Sequence, residues 1–349
     1  MELIIKPTEL CNFACTFCSS TDIAPEDNRN ITLDLDYVFK FLKRFPKTNT
    51  IIINGGDPLM LDPSYYWQII EHLEEHNYPA TLSFTSNLWP FLKKPEKWTK
   101  LFRHPRVGVT TSFNYGDTRR ITPTRVFTEA DFWRVSDAML EHVGYRPDFI
   151  SVITEENIDT AIDNVLLAQK MDVECKLNYA MASGVQGKPF MLAKMYQVYI
   201  EVAKRGLAKW ELNTKQMVKR LIGGGTCCPQ NRECDAGIRA MNPGGDYYSC
   251  GSLADDKVYP IKFVDEVVKN GPVQTPLQND LLLDTMHSGC YACPNFLICN
   301  GCRKTIKDHK QHNMVEQHCT IMKGLIEDIE SLQGLHVDPL ARPRHEPID

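Results

Sequence analysis

The stretch Cys11-Asn12-Phe13-Ala14-Cys15-Thr16-Phe17-Cys18 decides how this chain is read. It follows Glu2–Lys6, a short apolar run that reads as a strand. Three thiols on the loop leaving a strand make an incomplete metal site. A structural zinc site closes with four ligands. Three leave one position open, and in a [4Fe–4S] cluster the open iron can bind a substrate or cofactor directly.

Outward from this loop, strand-like runs recur at Thr50–Ile53, Ala80–Thr85, Val107–Ser112, Phe149–Thr154 and Cys175–Tyr179. Amphipathic stretches separate and follow them: Leu33–Phe45 with Thr32 as N-cap, Tyr65–His76, Pro95–Phe102, Glu129–His142, Asn157–Met171 and Pro189–Arg205. Six strand–helix units in succession imply a parallel sheet with helices outside it. A closed eightfold barrel needs two more units. The expected fold is therefore α/β, a partial (β/α)6 TIM-like barrel followed by a small cysteine-rich domain. Ligands belong at the C-terminal ends of such strands. Short polar residues fall at those ends: Asn54-Gly55-Gly56-Asp57-Pro58, Thr85-Ser86-Asn87, Ser112-Phe113-Asn114, and Thr154 through Asn157.

Thirteen cysteines are too many for a chain of this kind to leave unexplained. No apolar run approaches the length of a bilayer span, and Met1-Glu2-Leu3-Ile4-Ile5-Lys6 is not a secretory signal. The expected location is the cytoplasm, where thiols stay reduced, so metal explains the cysteines better than disulfides. A net charge of −5 gives no general attraction to nucleic acid or to anionic membranes, and neither is expected as a partner.

Periodicity breaks after about Lys209. Gly223-Gly224-Gly225 and a field of cysteines follow: Cys227, Cys228, Cys234, Cys250, Cys290, Cys293, Cys299, Cys302 and Cys319. From Thr226 to Cys319 loops and short elements organised by metal are expected. Eight thiolates suffice for two four-iron clusters or for two zinc sites, and spacing does not choose between them. Cys175 stands alone and reads as a buried strand residue. The tail from Leu335 reads as weakly ordered.

The N-terminal triplet resembles the CxxxCxxC signature of the radical S-adenosylmethionine (radical SAM) superfamily, with Phe17 as the aromatic residue before the last cysteine. The resemblance covers roughly residues 3–190. It implies that Cys11, Cys15 and Cys18 hold a [4Fe–4S] cluster whose open iron chelates S-adenosylmethionine. One electron then cleaves the cofactor, and the 5′-deoxyadenosyl radical abstracts hydrogen from a substrate. Gly55-Gly56-Asp57-Pro58 resembles the family's GGEP motif, which helps bind the methionine amine, with Asp in place of Glu. Ser86, Ser112, Asn114, Thr154 and Asn157 match further cofactor-contacting positions at strand ends. Cys175 to Gly184 resembles the sixth strand and the loop near the adenine.

The C-terminal cysteine order resembles the SPASM domain of many such enzymes. Carried over, one auxiliary [4Fe–4S] cluster would use Cys228, Cys234, Cys250 and Cys302, and the other Cys290, Cys293, Cys299 and Cys319. Two residues rather than three separate Cys299 from Cys302, and Cys227 competes with Cys228. The implied domains are a radical SAM barrel over 1–208, a SPASM-like domain over 209–334 and a tail over 335–349. Three clusters, S-adenosylmethionine and an electron donor such as flavodoxin or ferredoxin follow from the resemblance. So does oxidative modification of a ribosomal peptide by cross-linking, dehydrogenation or epimerisation. The chain enters its first strand by residue 2, which is expected to leave no N-terminal leader-peptide-binding domain; recognition of a peptide would then need a separate partner or the barrel itself. The same chemistry on a small molecule, nucleoside or sugar is the alternative. From another class, the alternative is a non-catalytic zinc-binding interaction module.

Other polar residues have plainer readings. Arg119, Arg120 and Arg125 could pair with a substrate anion but read as surface charge. Tyr247 and Tyr248 face either a substrate or a cluster. Glu155 and Glu156 suit a general base or a helix start equally well. His309, His312 and His318 read as solvated. None is assigned a catalytic role.

Overall fold

The computed structural model describes residues 1–222, 237–261, 287–299 and 302–335. Cys227, Cys228 and Cys234 lie outside the described residues, as does the tail beyond Leu335.

All six expected strands form. They are β1 Glu2–Ile5, β2 Thr50–Ile53, β3 Thr81–Thr85, β4 Val107–Ser112, β7 Asp148–Ile153 and β8 Cys175–Tyr179. A small antiparallel hairpin, β5 Arg120–Thr122 and β6 Arg125–Val126, hangs below β4 in sequence. The six pair in parallel, in chain order. In-register ladders such as Glu2↔Thr50 through Ile5↔Ile53 bring their C-terminal ends to one side. Alternation sends Leu3, Ile5, Ile51 and Ile53 fully inward.

Two further strands extend the sheet on the β1 edge. β9 Ile238–Met241 runs parallel to β1, and β10 Tyr247–Tyr248 runs antiparallel to β9. They come from the cysteine-rich half, where Ile-Arg-Ala-Met has no alternation to announce a strand. All four β9 residues are buried, so the outward alternation that marks a half-exposed strand is absent. The eight-stranded sheet is open, with β10 and β8 at its edges.

The helices cover the outside. They are α1 Leu35–Arg44, α2 Pro63–Glu75, α3 Trp89–Lys93, α4 Pro95–Phe102, α5 Glu129–Val143, α6 Ala161–Met171, α7 Leu192–Lys204 and α8 Leu212–Leu221. α1 begins later than expected. Its N-cap is Asp34, not Thr32, because the Asp34 carboxylate accepts from Asp36 N–H at 2.9 Å. The C-terminal cysteine segment docks on α7 and α8. Tyr196 and Arg220 both donate to the carbonyl of Ile298, at 2.8 and 2.6 Å. Among the described residues no helix is long and apolar enough to cross a membrane.

Candidate functional site

The loop carrying Cys11, Cys15 and Cys18 is clamped from three sides. Below it, Gly56 N–H donates to Thr8 O at 2.9 Å and Asp57 N–H to Leu10 O at 2.8 Å. A Cβ on Gly56 would lie 2.2 Å from Leu10 O and 2.4 Å from Glu9 O, so only glycine lets the loop settle here. On a second side, Ala14 and Thr16 donate to the carbonyls of Arg120 and Thr118 at 2.8 and 2.9 Å. On the third, Val185 N–H donates to Cys18 O at 3.1 Å. Gly184 makes that approach with φ +59°, and a Cβ there would meet Cys18 O at 2.5 Å.

The thiols in this loop are poised for a metal rather than for free thiol chemistry. Desolvation pushes Cys11 up to about 12, with the charge of Asp57 adding to it, and pushes Cys18 up to about 11. Without a metal Cys11 and Cys18 stay protonated at neutral pH. A bound metal reverses that balance, because its charge favours thiolates. The donor set therefore fits an iron–sulfur centre.

Asp57 is a hub under this loop. It is 2% exposed, and its carboxylate accepts from Leu59 N–H at 2.9 Å, Asn87 N–H at 2.8 Å and the Ser86 hydroxyl at 2.9 Å. Burial pushes it up to about 6 even so. Asn87 in turn donates to Asn12 Oδ1 at 2.9 Å, beside Cys11. Asp57 and Ser86 thus bind the β2 end, the β3 end and the cysteine loop into one unit.

Arg119 departs from its sequence reading. It is 5% exposed, not surface charge. Its Nε donates to Asn114 Oδ1 at 3.1 Å and its Nη1 to Ser112 Oγ at 2.8 Å. Its guanidinium lies over the ring of buried Phe17. Ser112 and Asn114, expected to touch a cofactor, act here as the cradle of this cation. Among the described residues no carboxylate pairs with it; desolvation lowers its pKa, and the charges of Cys15, Cys18 and Cys11 oppose that. A buried charge needs an opposite one, and the cysteine loop lies where an anion would complete the pair. The sequence held no sign of this: adjacent Arg120 pairs outward with Asp117 at 2.8 Å, and Arg125 with Asp131 at 3.0 Å.

Thr154 and Asn157 are turned on each other. Thr154 N–H donates to Asn157 Oδ1 at 2.7 Å, and Asn157 Nδ2 donates to the carbonyls of Val152 and Tyr115. They tie the β7 end to the β4 end. Glu155 and Glu156 are exposed, and Glu155 pairs with Lys194 at 2.5 Å. Tyr247 and Tyr248 are buried in β10. Cys175 is fully buried in β8.

A second thiol group forms in the C-terminal segment. Cys290, Cys293, Cys299 and Cys319 line one small cavity with Phe296, His318 and Met322. Burial and the charges of Cys290 and Cys293 push Cys319 up to about 11. These four are the set that the sequence reading joined. Of the other set, Cys250 precedes the helix Gly251–Asp256 and Cys302 the helix Arg303–Gln311, each as its N-cap residue. His309 and His318 are each 1% exposed, against the solvated reading. Burial lowers them to about 3 and about 4, so both are neutral.

Beside the N-terminal loop opens a cleft of about 740 Å³. Its walls come from the loop after Cys18, the loop after β8 and the helix Gly251–Asp256, and include Arg29, Ser183, Asp255, Asp256 and Lys307. Buried Lys6, at the end of β1, binds Asp255 in its floor.

Comparison with known proteins agrees with this geometry. Native anSMEcpe with bound AdoMet is similar at a TM-score of 0.68 and 17% identity, covering 96% of this chain and all (100%) of that one. Its complex with AdoMet and the Cp18Cys peptide is similar at 0.64 and 15% identity, covering 94% and 99%. Streptococcus suis SuiB bound to S-adenosylmethionine follows at 0.52 and 16%, covering 85% and 71%. At such identities the likeness is one of fold. A putative L-lysine 2,3-aminomutase of Aquifex aeolicus (strain VF5) is 28% identical over 72 residues, or 21% of this chain. The match spans about a fifth of that curated relative (19%). The model of the Radical SAM superfamily matches residues 5–168, from the end of β1 into α6. Together with the clamped cysteine loop at the head of an open parallel sheet, this match means that the chain carries a radical SAM domain.

Proposed function

We propose that this protein is an enzyme that cleaves S-adenosylmethionine reductively and removes hydrogen from a carbon of a peptide, in an oxidative modification. The observation that carries the reading is Arg119, a buried cation with no carboxylate partner among the described residues, held beside the cysteine loop. Its free edge suits a carboxylate, which a guanidinium binds through paired N–H donors. The methionine carboxylate of the cofactor is the anion that belongs there. Cys11, Cys15 and Cys18 would hold the [4Fe–4S] cluster.

When bound, the cluster and S-adenosylmethionine supply the radical that takes hydrogen. The chain supplies position. Gly56 and Gly184 admit the loop, Asp57 and Ser86 hold it to the strand ends, and Ser112 and Asn114 aim Arg119. The cleft beside the loop is of a size that binds substrates. The peptide reading rests on likeness of fold to a protein crystallised with a peptide. Cys290, Cys293, Cys299 and Cys319 would hold one auxiliary cluster that passes electrons. Cys250 and Cys302, with Cys228 and Cys234, would hold another. An external donor of flavodoxin or ferredoxin type supplies the first electron.

Anaerobic reconstitution tests this reading. About twelve irons per chain, and 5′-deoxyadenosine on adding dithionite and S-adenosylmethionine, are expected. The product should vanish in Cys15→Ala. Zinc without sulfide, and no cleavage, would overturn the reading.

A further inference from the structure

α7 starts without a conventional cap. Met191 occupies its N-cap position and offers no side-chain acceptor. The first N–H groups of any helix lack partners within it. Two imidazoles from the cysteine-rich segment supply them. Leu192 N–H donates to His309 Nε2 at 3.4 Å, and Ala193 N–H donates to His318 Nδ1 at 3.2 Å.

An imidazole nitrogen that accepts a hydrogen bond carries no proton. In neutral histidine the proton must then sit on the other nitrogen. For His318 that nitrogen is Nε2, which lies 3.5 Å from Cys299 Sγ. His318 is 1% exposed, so water does not compete for this proton. The ring is held from a second side by His309, edge-on with centroids 5.0 Å apart. Helix α7 thereby sets the tautomer of a histidine, and the tautomer aims an N–H at a cysteine sulfur.

We propose that His318 is a positioning residue that donates an Nε2–H···S hydrogen bond to Cys299 and so raises the reduction potential of the centre held by Cys290, Cys293, Cys299 and Cys319. This rests on the reading of those four cysteines as cluster ligands. The physical reason is electrostatic. Reduction adds one electron and the reduced cluster carries more negative charge on its sulfurs. An N–H aimed at a ligand sulfur stabilises that state more than the oxidised one. Hydrogen bonds to sulfur are among the means by which proteins set cluster potentials. The same bond couples the barrel to the auxiliary centre, since any shift of the start of α7 would move the donor.

The test uses the full chain, reconstituted anaerobically, with iron and sulfide counted. Redox titration by EPR then compares wild type, His318→Leu and His318→Gln. His318→Leu should keep the wild-type iron count and disfavour reduction of one cluster about tenfold, a drop of about 59 mV for one electron. His318→Gln keeps an N–H donor and should recover part of the shift. A full iron count with an unmoved potential in His318→Leu overturns the proposal. Where His318→Leu loses its clusters, wild type labelled with 15N-histidine decides instead. The reduced auxiliary centre should show coupling to a 15N nucleus and an exchangeable proton, and the absence of both overturns the proposal. A wild-type chain with about four irons, or with zinc at these cysteines, overturns the cluster reading itself and the proposal with it.

Discussion

The guanidinium of Arg119 stands 5.0 Å from the centroid of the Phe17 ring, which joins the β4–β5 connection to the cysteine loop. Phe17 precedes the third cysteine, so its ring is fixed wherever that thiol is fixed. Stacking a cation on it places the charge beside the triplet, and the ring's attraction for the cation offsets part of the desolvation that burial imposes. The relationship explains why an arginine between two polar strand-end residues turns inward while its neighbour Arg120 turns out.

Arg119→Met should therefore weaken S-adenosylmethionine binding. Removing one partner of a buried, hydrogen-bonded charge pair costs at least about 2 kcal/mol, or roughly thirtyfold in Kd. Equilibrium dialysis of the reconstituted variant measures it. An unchanged Kd with a full N-terminal cluster would remove Arg119 from the cofactor site.

Gly56→Ala should fail to load the N-terminal cluster. Its Cβ would collide with two backbone carbonyls, so the cysteine loop would have to lift. Gly108 in β4 is the control, because a Cβ there meets nothing within 4 Å. Gly108→Ala should load normally and change stability by less than about 1 kcal/mol. Iron content of the two variants decides; equal loading would mean that the glycine contact does not govern the loop.

Ser86→Ala takes one donor from the Asp57 carboxylate, whose pKa burial has already pushed up to about 6. The lost donor served the charged form, so the folded-state pKa rises further while the unfolded value stays. Between the two folded values the variant binds more protons than wild type, and its stability falls relative to wild type as pH rises. The deficit should be smallest below pH 6 and grow above it to about 1.5–3 kcal/mol. Urea unfolding of the metal-free proteins at pH 5 and pH 8 tests this. A deficit independent of pH would show that Asp57 is not the group affected.

Lys304 is 1% exposed and pairs with Asp308 at 2.6 Å and Asp256 at 3.0 Å. Asp256 also accepts from Ser183 and from Lys307 at the wall of the cleft. Lys304→Met leaves buried Asp308 and half-buried Asp256 with one fewer cation. It should cost about 3–5 kcal/mol. Denaturant titration checks the value, and a loss under about 1 kcal/mol would mean that Lys307 alone neutralises both acids.

The cysteine triplet, the order of the six parallel strands, five of the helices to within a few residues and the polar strand ends were all legible in the sequence. Each depends on consecutive residues: ligand spacing, alternation and helical period are local quantities. The start of α1 differs because Thr32 and Asp34 can both cap, and it is the Asp34 carboxylate that accepts from Asp36 N–H. β9 and β10 were not legible, because complete burial erases the alternation that marks a strand.

What only the tertiary structure decided is which polar residues face inward. Arg119, Arg120 and Arg125 are the same residue type within seven positions, yet Arg119 is buried with no carboxylate partner among the described residues while Arg120 and Arg125 pair with Asp117 and Asp131. His318 meets Ala193 across 125 residues of chain and Cys299 across 19. Spacing along the chain told where metal could bind. The burial of a cation and the tautomer of a histidine are set by atoms that fold against them from elsewhere, and no window of sequence contains both partners.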